Sequence, residues 1–372
     1  MIFWTVFLTS CATQDDPSSK SPPTRIQIEP ASMPITTTDS NQVRTNPATP
    51  SRVATITQTP TLTAIPLPSV LGTTTSAPTL SPTPNPYDNL TINALSNRDY
   101  GGGLLDIVDT IESNEAFTRY LITYPSDGLT IYGFMNVPNE GDKFPVAIML
   151  HGYVTPNQYN TLAYTRRYAD VLAEAGFFVI HPNFRNYPPS DSGPDPYRVG
   201  FAIDVLNLIA IIKEQSQDPN GYLRRSDPEN IHLWGHSMGG GVALRVLTVN
   251  NDPYIKAAVL YGSMSGDERL NYERIREWSN GLTGEFELTA PEDMLVAISP
   301  INYLDRITAA ISIHHSDADQ VVPPEWSDDL CQQLKELKQT VECHSYIGLP
   351  HTFRGQGDAL FIERTVDFFN RY

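Results

Sequence analysis

The 372-residue sequence predicts a doubly wound α/β domain behind a long disordered leader, and three observations lead there. Short, nearly unbroken apolar runs recur as PVAIML (145–150), FFVI (177–180), AAVLYG (257–262) and AISI (310–313). Runs of this length without polar alternation fit strands covered on both faces, as in a parallel sheet. Segments of helical pattern lie between them, and that alternation places helices on both sides of the sheet. Composition also breaks sharply. Residues 12–88 hold 40 Pro, Ser or Thr among 77 positions and one aromatic, Tyr87, whereas aromatic and branched residues reach globular density from about residue 89.

The first residues, MIFWTVFLTSCATQ, are apolar for nine or ten positions, far too few to span a bilayer. They fit the apolar core of an export signal. Leu8-Thr9-Ser10-Cys11 resembles the lipobox of bacterial lipoproteins, although no Lys or Arg precedes the run. That resemblance implies a signal peptide over 1–10 and lipidation of Cys11. The protein is then expected to be exported and lipid-anchored to the outer face of the bacterial cell membrane, since two or more acyl chains hold stably. Residues 11–88 cannot bury enough apolar surface to offset their ordering entropy and are expected to form a disordered tether. As a flexible coil it would average about 50 Å. Without Cys11, Cys331 and Cys343 remain as a candidate disulfide pair in an oxidising compartment, the alternative being two buried free thiols.

The domain itself is expected over 89–372. FTRYLITY (117–124) and LTIYGFMNV (129–137) alternate around Ser126-Asp127-Gly128 and predict a hairpin. NIHLWG (230–235) and VECHSYI (341–347) bring the strands to eight. Residues 162–174 read as an amphipathic helix, and 199–212 are apolar almost all round, as in a sandwiched helix. Further helices are expected after Ser237, near 325–338 and at 357–371. Polar helical sequence over 264–300 interrupts the alternation after strand 6, as a small lid insertion over the strand C-termini would. Gly101-Gly102-Gly103 has neither dinucleotide nor P-loop spacing and reads as a turn. The net charge is −17, and with five acids and four bases in 12–88 the rest carries 37 acids against 21 bases. Such a surface argues against nucleic acid and against docking of the folded domain on anionic lipid.

Gly235-His236-Ser237-Met238-Gly239 forms a G-x-S-x-G. About one chain in ten of this length carries the pattern by accident, so its surroundings must decide. A strand precedes Ser237 and a helix follows, so the serine falls on a sharp turn. There the two glycines are needed because strand and helix pass closely, and the helix N-terminus aims free N–H groups at the reacting centre. A hydrolase then requires an acid and a histidine in that chain order. Both occur where strands end, in His314-His315-Ser316-Asp317-Ala318-Asp319 and in Gly348-Leu349-Pro350-His351.

Over roughly 115–372 the chain resembles the α/β-hydrolase superfamily, in particular the prolyl oligopeptidase family catalytic domain and its dienelactone-hydrolase-like relatives. The resemblance rests on GHSMGG, on H-x-x-A-D-x-V-V-P at 315–323, on the His351 loop and on Ile148-Met149-Leu150-His151-Gly152-Tyr153. It implies an α/β-hydrolase fold with an eight-stranded, mostly parallel sheet, helices on both faces and the small lid after strand 6. It further implies a serine hydrolase with no cofactor and no metal, acting on a small ester or a short peptide. Ser237 would be the nucleophile, His351 the base and Asp319 its partner. Asp317 stays an alternative, because Ser316 stands where the family commonly has glycine. Met238 N–H, next to the nucleophile, supplies one oxyanion donor, and the resemblance assigns the second to Tyr153, by its N–H or its hydroxyl. With only 89–143 ahead of the strand at 145–150, no propeller is expected to precede the domain.

The competing class is a surface-tethered binding protein using a catalytically silent hydrolase fold. Among the remaining residues, His236 is expected in packing or turn contacts, and His314-His315 lack a third ligand for a metal. Arg185 reads as a structural ion pair before a substrate contact. Trp278 and Trp326 flank the presumed pocket.

Overall fold

The computed structural model describes residues 87–250 and 253–372; the signal-like run 1–10, Cys11 and the tether up to residue 86 lie outside them. Nine strands are described, β1 (Asp106–Ser113), β2 (Phe117–Ser126), β3 (Leu129–Pro138), β4 (Phe144–Leu150), β5 (Phe178–Pro182), β6 (Ser226–His236), β7 (Ile255–Tyr261), β8 (Ala310–Ser316) and β9 (Val341–Tyr346). They form one sheet in the order β1-β2-β3-β5-β4-β6-β7-β8-β9. β1, β2 and β3 pair antiparallel, as do β3 and β5, and every pairing from β5 to β9 is parallel. The fold class is the expected one, with one strand more. β1 (DIVDTIES) is an edge strand, mostly exposed, with three acids and two breaks in register. Charge and irregularity protect an open edge from further pairing, and they erase the apolar pattern by which strands are read.

Helices α1 (Ile92–Ser96), α2 (Arg166–Glu174), α3 (Val199–Gln215), α4 (Met238–Val249), α5 (Glu268–Trp278), α6 (Glu292–Ile298), α7 (Glu325–Glu336) and α8 (Gly355–Arg371) cover the sheet. Side-chain alternation along each strand splits the core in two. Val146, Ile148 and Leu150 of β4 join the cluster that includes α3 and α4, whereas Ala147 and Met149 join the one beneath α2 and α8. α3 is buried almost all round, as its composition requires; Val205, Leu208, Ile211 and Ile212 are fully enclosed. Each such side chain contributes ~1.5–3 kcal/mol relative to exposure. The β2–β3 hairpin turns on Asp127 and Gly128, both at positive φ (50° and 82°), the pairing a two-residue turn of matching twist demands.

The 264–300 insertion follows β7, now the seventh strand. Its root is buried: Glu268, Asn271 and Tyr272 of α5, and Met294, Leu295 and Ile298 of α6. Arg198 and Arg245 close on the single carboxylate of Glu268, with Arg245 Nη2 at 2.5 Å and its other arm donating to Ile298 O at 2.7 Å. Between the helices the chain bulges outward, leaving Leu282 87% and Phe286 69% exposed. A disulfide joins Cys331 of α7 to Cys343 of β9, twelve residues on. Among the described residues no helix is long and apolar enough to cross a membrane.

Candidate active site

Because β4 and β6 to β9 run parallel, the loops that follow them meet at one edge of the sheet. The run Glu229 to Gly241 supplies the centre. Ser237 sits between β6 and α4 at φ 56°, ψ −119°, a region costing an L-residue about 1–3 kcal/mol. A Cβ on Gly239 would be driven into the Leu150 carbonyl, and one on Gly235 into the Gly239 backbone. Both glycines are therefore required by close approach. Ser237 N–H donates to Tyr261 O (2.9 Å), and its carbonyl accepts from Met264 N (3.1 Å), fixing the turn against the end of β7. Met238 opens α4, and an N–H in a helix's first turn has no acceptor within the helix.

His351 arrives on the loop after β9. Its Nδ1–H donates to Asp319 Oδ2 at 2.6 Å, since a carboxylate only accepts. The ring lies against Gly262, next to the residue that anchors Ser237. Asp319 is buried and fully engaged. Its Oδ1 accepts from Val321 N (2.8 Å) and Val322 N (3.0 Å), and Oδ2 also accepts from His315 Nε2 (3.1 Å). Burial would raise this carboxyl, but the hydrogen bonds from His315 and His351 and the histidine's charge hold it well below the usual carboxylate range. Asp317 instead accepts from Gly348 N at 2.7 Å, supporting the histidine loop from outside without touching His351.

Further histidines organise the site. His236 Nε2–H donates to His351 O (3.1 Å), and its Nδ1 accepts from Tyr164 Oη (2.6 Å). Stacked 4.1 Å from Tyr261, it is fully buried, and burial followed by the neighbouring His351 lowers its pKa to about 3. It is thus a neutral brace for the histidine loop. His315 carries its proton on Nε2 and accepts on Nδ1 from Ser327 Oγ (2.6 Å). His314 meets Ser312 and Tyr346 instead. The bracing by His315 and Tyr164 escapes sequence reasoning; a histidine four residues before the acid is the one signal that pointed to it.

At the end of β4, His151 is buried among Tyr159, Phe184 and Tyr187, and burial lowers its pKa to about 4. Tyr153 follows at 64% exposure, its side chain outside the core. Arg185 is the buried partner of Asp204, with Nη2 at 2.8 Å, and so is occupied structurally. Trp278 is partly exposed beneath Arg274, and Trp326 packs on the core. Arg274 of the insertion donates to Gln320 O (2.6 Å) and Val321 O (3.0 Å), clamping the loop that carries Asp319.

Fold and site together define an α/β hydrolase, and the chain matches the α/β-hydrolase fold model over residues 145–293. It is a serine hydrolase, and residues 222–372 match the prolyl oligopeptidase family. An uncharacterized peptidase of Bacillus subtilis, YtmA, is 25% identical over 239 residues, 63% of this chain and 86% of that protein. Pyrococcus horikoshii acylaminoacyl peptidase superposes with a TM-score of 0.56 at 22% identity, covering 68% of this chain and 42% of its own. Acetyl xylan esterase 1 of Thermoanaerobacterium sp. gives 0.55 at 16% identity, covering 77% and 94%.

Proposed function

We propose that the protein cleaves ester or peptide bonds through an acyl-enzyme on Ser237, with His351 as general base and Asp319 as its partner. The observation that carries this is the His351–Asp319 hydrogen bond beside a serine in a strained strand-to-helix turn. A serine hydroxyl is too weakly acidic to attack unaided, so His351 Nε2 takes its proton as Oγ adds to the carbonyl carbon. Asp319 selects the tautomer that leaves Nε2 free and stabilises the imidazolium. Met238 N–H and Tyr153 receive the oxyanion, each such donor being worth ~10²–10³ in rate. Collapse passes the proton from His351 to the leaving group, and water repeats the sequence to release the acid.

The insertion roofs the site from one side in this reading, leaving it open and wet. Water weakens stabilisation of the oxyanion, which matters most for amides, whose leaving group also needs a proton. Short-chain activated esters are therefore the better substrates and small peptides the slower ones. Export with lipidation at Cys11 completes the proposal; the Cys331–Cys343 bridge supports an oxidising compartment. A fluorophosphonate probe should label the wild type and not Ser237→Ala, and a panel of acyl esters and peptidyl anilides should rank the bonds. No labelling would leave a silent fold, and anilides exceeding matched esters in kcat/KM would make it a peptidase first. Cys11→Ser should abolish metabolic fatty-acid labelling of the protein in cells; labelling that persists would reject the anchor.

A further inference from the structure

Among the described residues, nearly every arginine closes on a carboxylate, a carbonyl, a side-chain oxygen or a ring. Two do not: Arg166, the first residue of α2, and Arg354, directly before α8. Both line the same cleft, of about 630 Å³, with Asn160, Tyr164, Arg167 and Thr352 among its other walls. Arg167 is neutralised by Asp358, its Nη2 2.6 Å from Oδ1, and no Asp or Glu lines the cleft. In a chain of net charge −17, two uncompensated guanidinium groups on one concave surface form a local reversal of sign. Field lines concentrate in such a cleft and favour an anion there.

The cleft adjoins the chemistry. Thr352 follows His351 directly and Arg354 lies three positions on, and Tyr164 in the wall donates to His236 behind the catalytic loop. A Cβ on Gly152 would touch the Tyr164 hydroxyl and come within 3.1 Å of Ser237 Cβ, so the tyrosine hydroxyl and the nucleophile both border Gly152. The cleft thus lies on the histidine side of the site, where the departing group collects its proton. We propose that it binds a free carboxylate carried by the leaving group, held by Arg166 and Arg354; this rests on the hydrolase reading above. Guanidinium matches a carboxylate with paired hydrogen bonds, and the N-termini of α2 and α8 add favourable partial charge. The leaving group is then a hydroxy acid or a peptide fragment with its C-terminus free.

Two matched pairs separate those sources: 4-acetoxybenzoate against its methyl ester, and an N-acetyl dipeptide against its C-terminal amide. The kcat/KM ratio of charged to neutral member should fall about tenfold in R166Q/R354Q, chiefly through KM, as expected for a lost charge-assisted contact. In the wild type the ratio should shrink with added salt. A fall in the ester pair alone assigns the carboxylate to a hydroxy acid, and a fall in the peptide pair alone to a peptide terminus. A ratio within twofold of wild type in both pairs overturns the proposal. Binding of 4-hydroxybenzoate and of a free amino acid to Ser237→Ala protein, followed by titration calorimetry, needs no turnover. One of them should bind about tenfold more weakly once R166Q/R354Q is added; equal or absent binding in both backgrounds overturns the cleft. Carboxylate binding that persists without fluorophosphonate labelling of Ser237 would sink the hydrolase reading and leave the cleft standing.

Discussion

The loops carrying Ser237, Asp319 and His351 and the 264–300 insertion border the same edge of the sheet but are held in different ways. Around Ser237, glycine contacts against backbone and hydrogen bonds to buried rings leave each group one position. The insertion is fastened at its root, by two arginines sharing Glu268 and by a few apolar side chains, and through Arg274 to the Asp319 loop, while its tip stands in solvent. In the proposed hydrolase, chemistry demands fixed atoms, whereas a cover needs only to be present and shaped. The difference teaches where substitutions should act on rate and where on stability.

The largest expected effect is on the fixed side. Ser237→Ala should lower kcat by on the order of 10⁶ while the melting temperature stays the same or rises, because the change removes one hydroxyl and leaves no cavity. Residual activity above one hundredth of wild type would show that the turn is not the nucleophile's. Next, Asp319→Asn should cost roughly 10⁴ in kcat through the wrong histidine tautomer, with Asp317→Asn costing little. The opposite ranking, from steady-state kinetics on both, would move the third role to Asp317.

On the other side the root should matter for folding. Glu268→Gln leaves Arg245, 2% exposed, buried without its counter-charge and should destabilise the domain by about 3–5 kcal/mol. A denaturant midpoint unchanged from wild type would mean that the insertion is not anchored there. The Cys331–Cys343 bridge closes a short loop, and the Cys331→Ser/Cys343→Ser pair should lose about 3 kcal/mol. Alkylation of both thiols in unreduced protein from the cell envelope would remove the basis for that figure. Smallest of all, Leu282→Ser at the exposed tip should shift stability by less than about 0.5 kcal/mol; a loss beyond 1 kcal/mol by thermal unfolding would reveal a packing role for the tip.

Much of the fold was legible because parallel strands must be apolar on both faces. PVAIML and AISI could hardly be anything else, and Asp127-Gly128 announced its hairpin. β1 was not legible, since an edge strand survives by looking unlike a strand. α1 was missed for another reason: five residues carry too little periodicity, and Ile92 and Leu95 show their role only once the core exists. In the site, Ser237, Asp319 and His351 were expected together because a hydrolase needs those residue types in that order, and the structure brings His351 to Asp319. The supports could not. Nothing in the letters says that His315 shares the carboxylate of Asp319, or that Arg198 and Arg245, 47 positions apart, meet on Glu268. Such partnerships are made by tertiary packing, and each partner is common alone.

The glycines that bring β6 and α4 together also bear on how this protein can change over generations. Any side chain at Gly235 or Gly239 would collide with backbone, which cannot swing aside as a flexible side chain can. Single-letter steps at those positions are closed, and no sequence of small adjustments leads through them. Variation must therefore enter elsewhere, and exposed side chains such as those at the insertion's tip and at the rim bearing Arg166 and Arg354 can be exchanged one at a time.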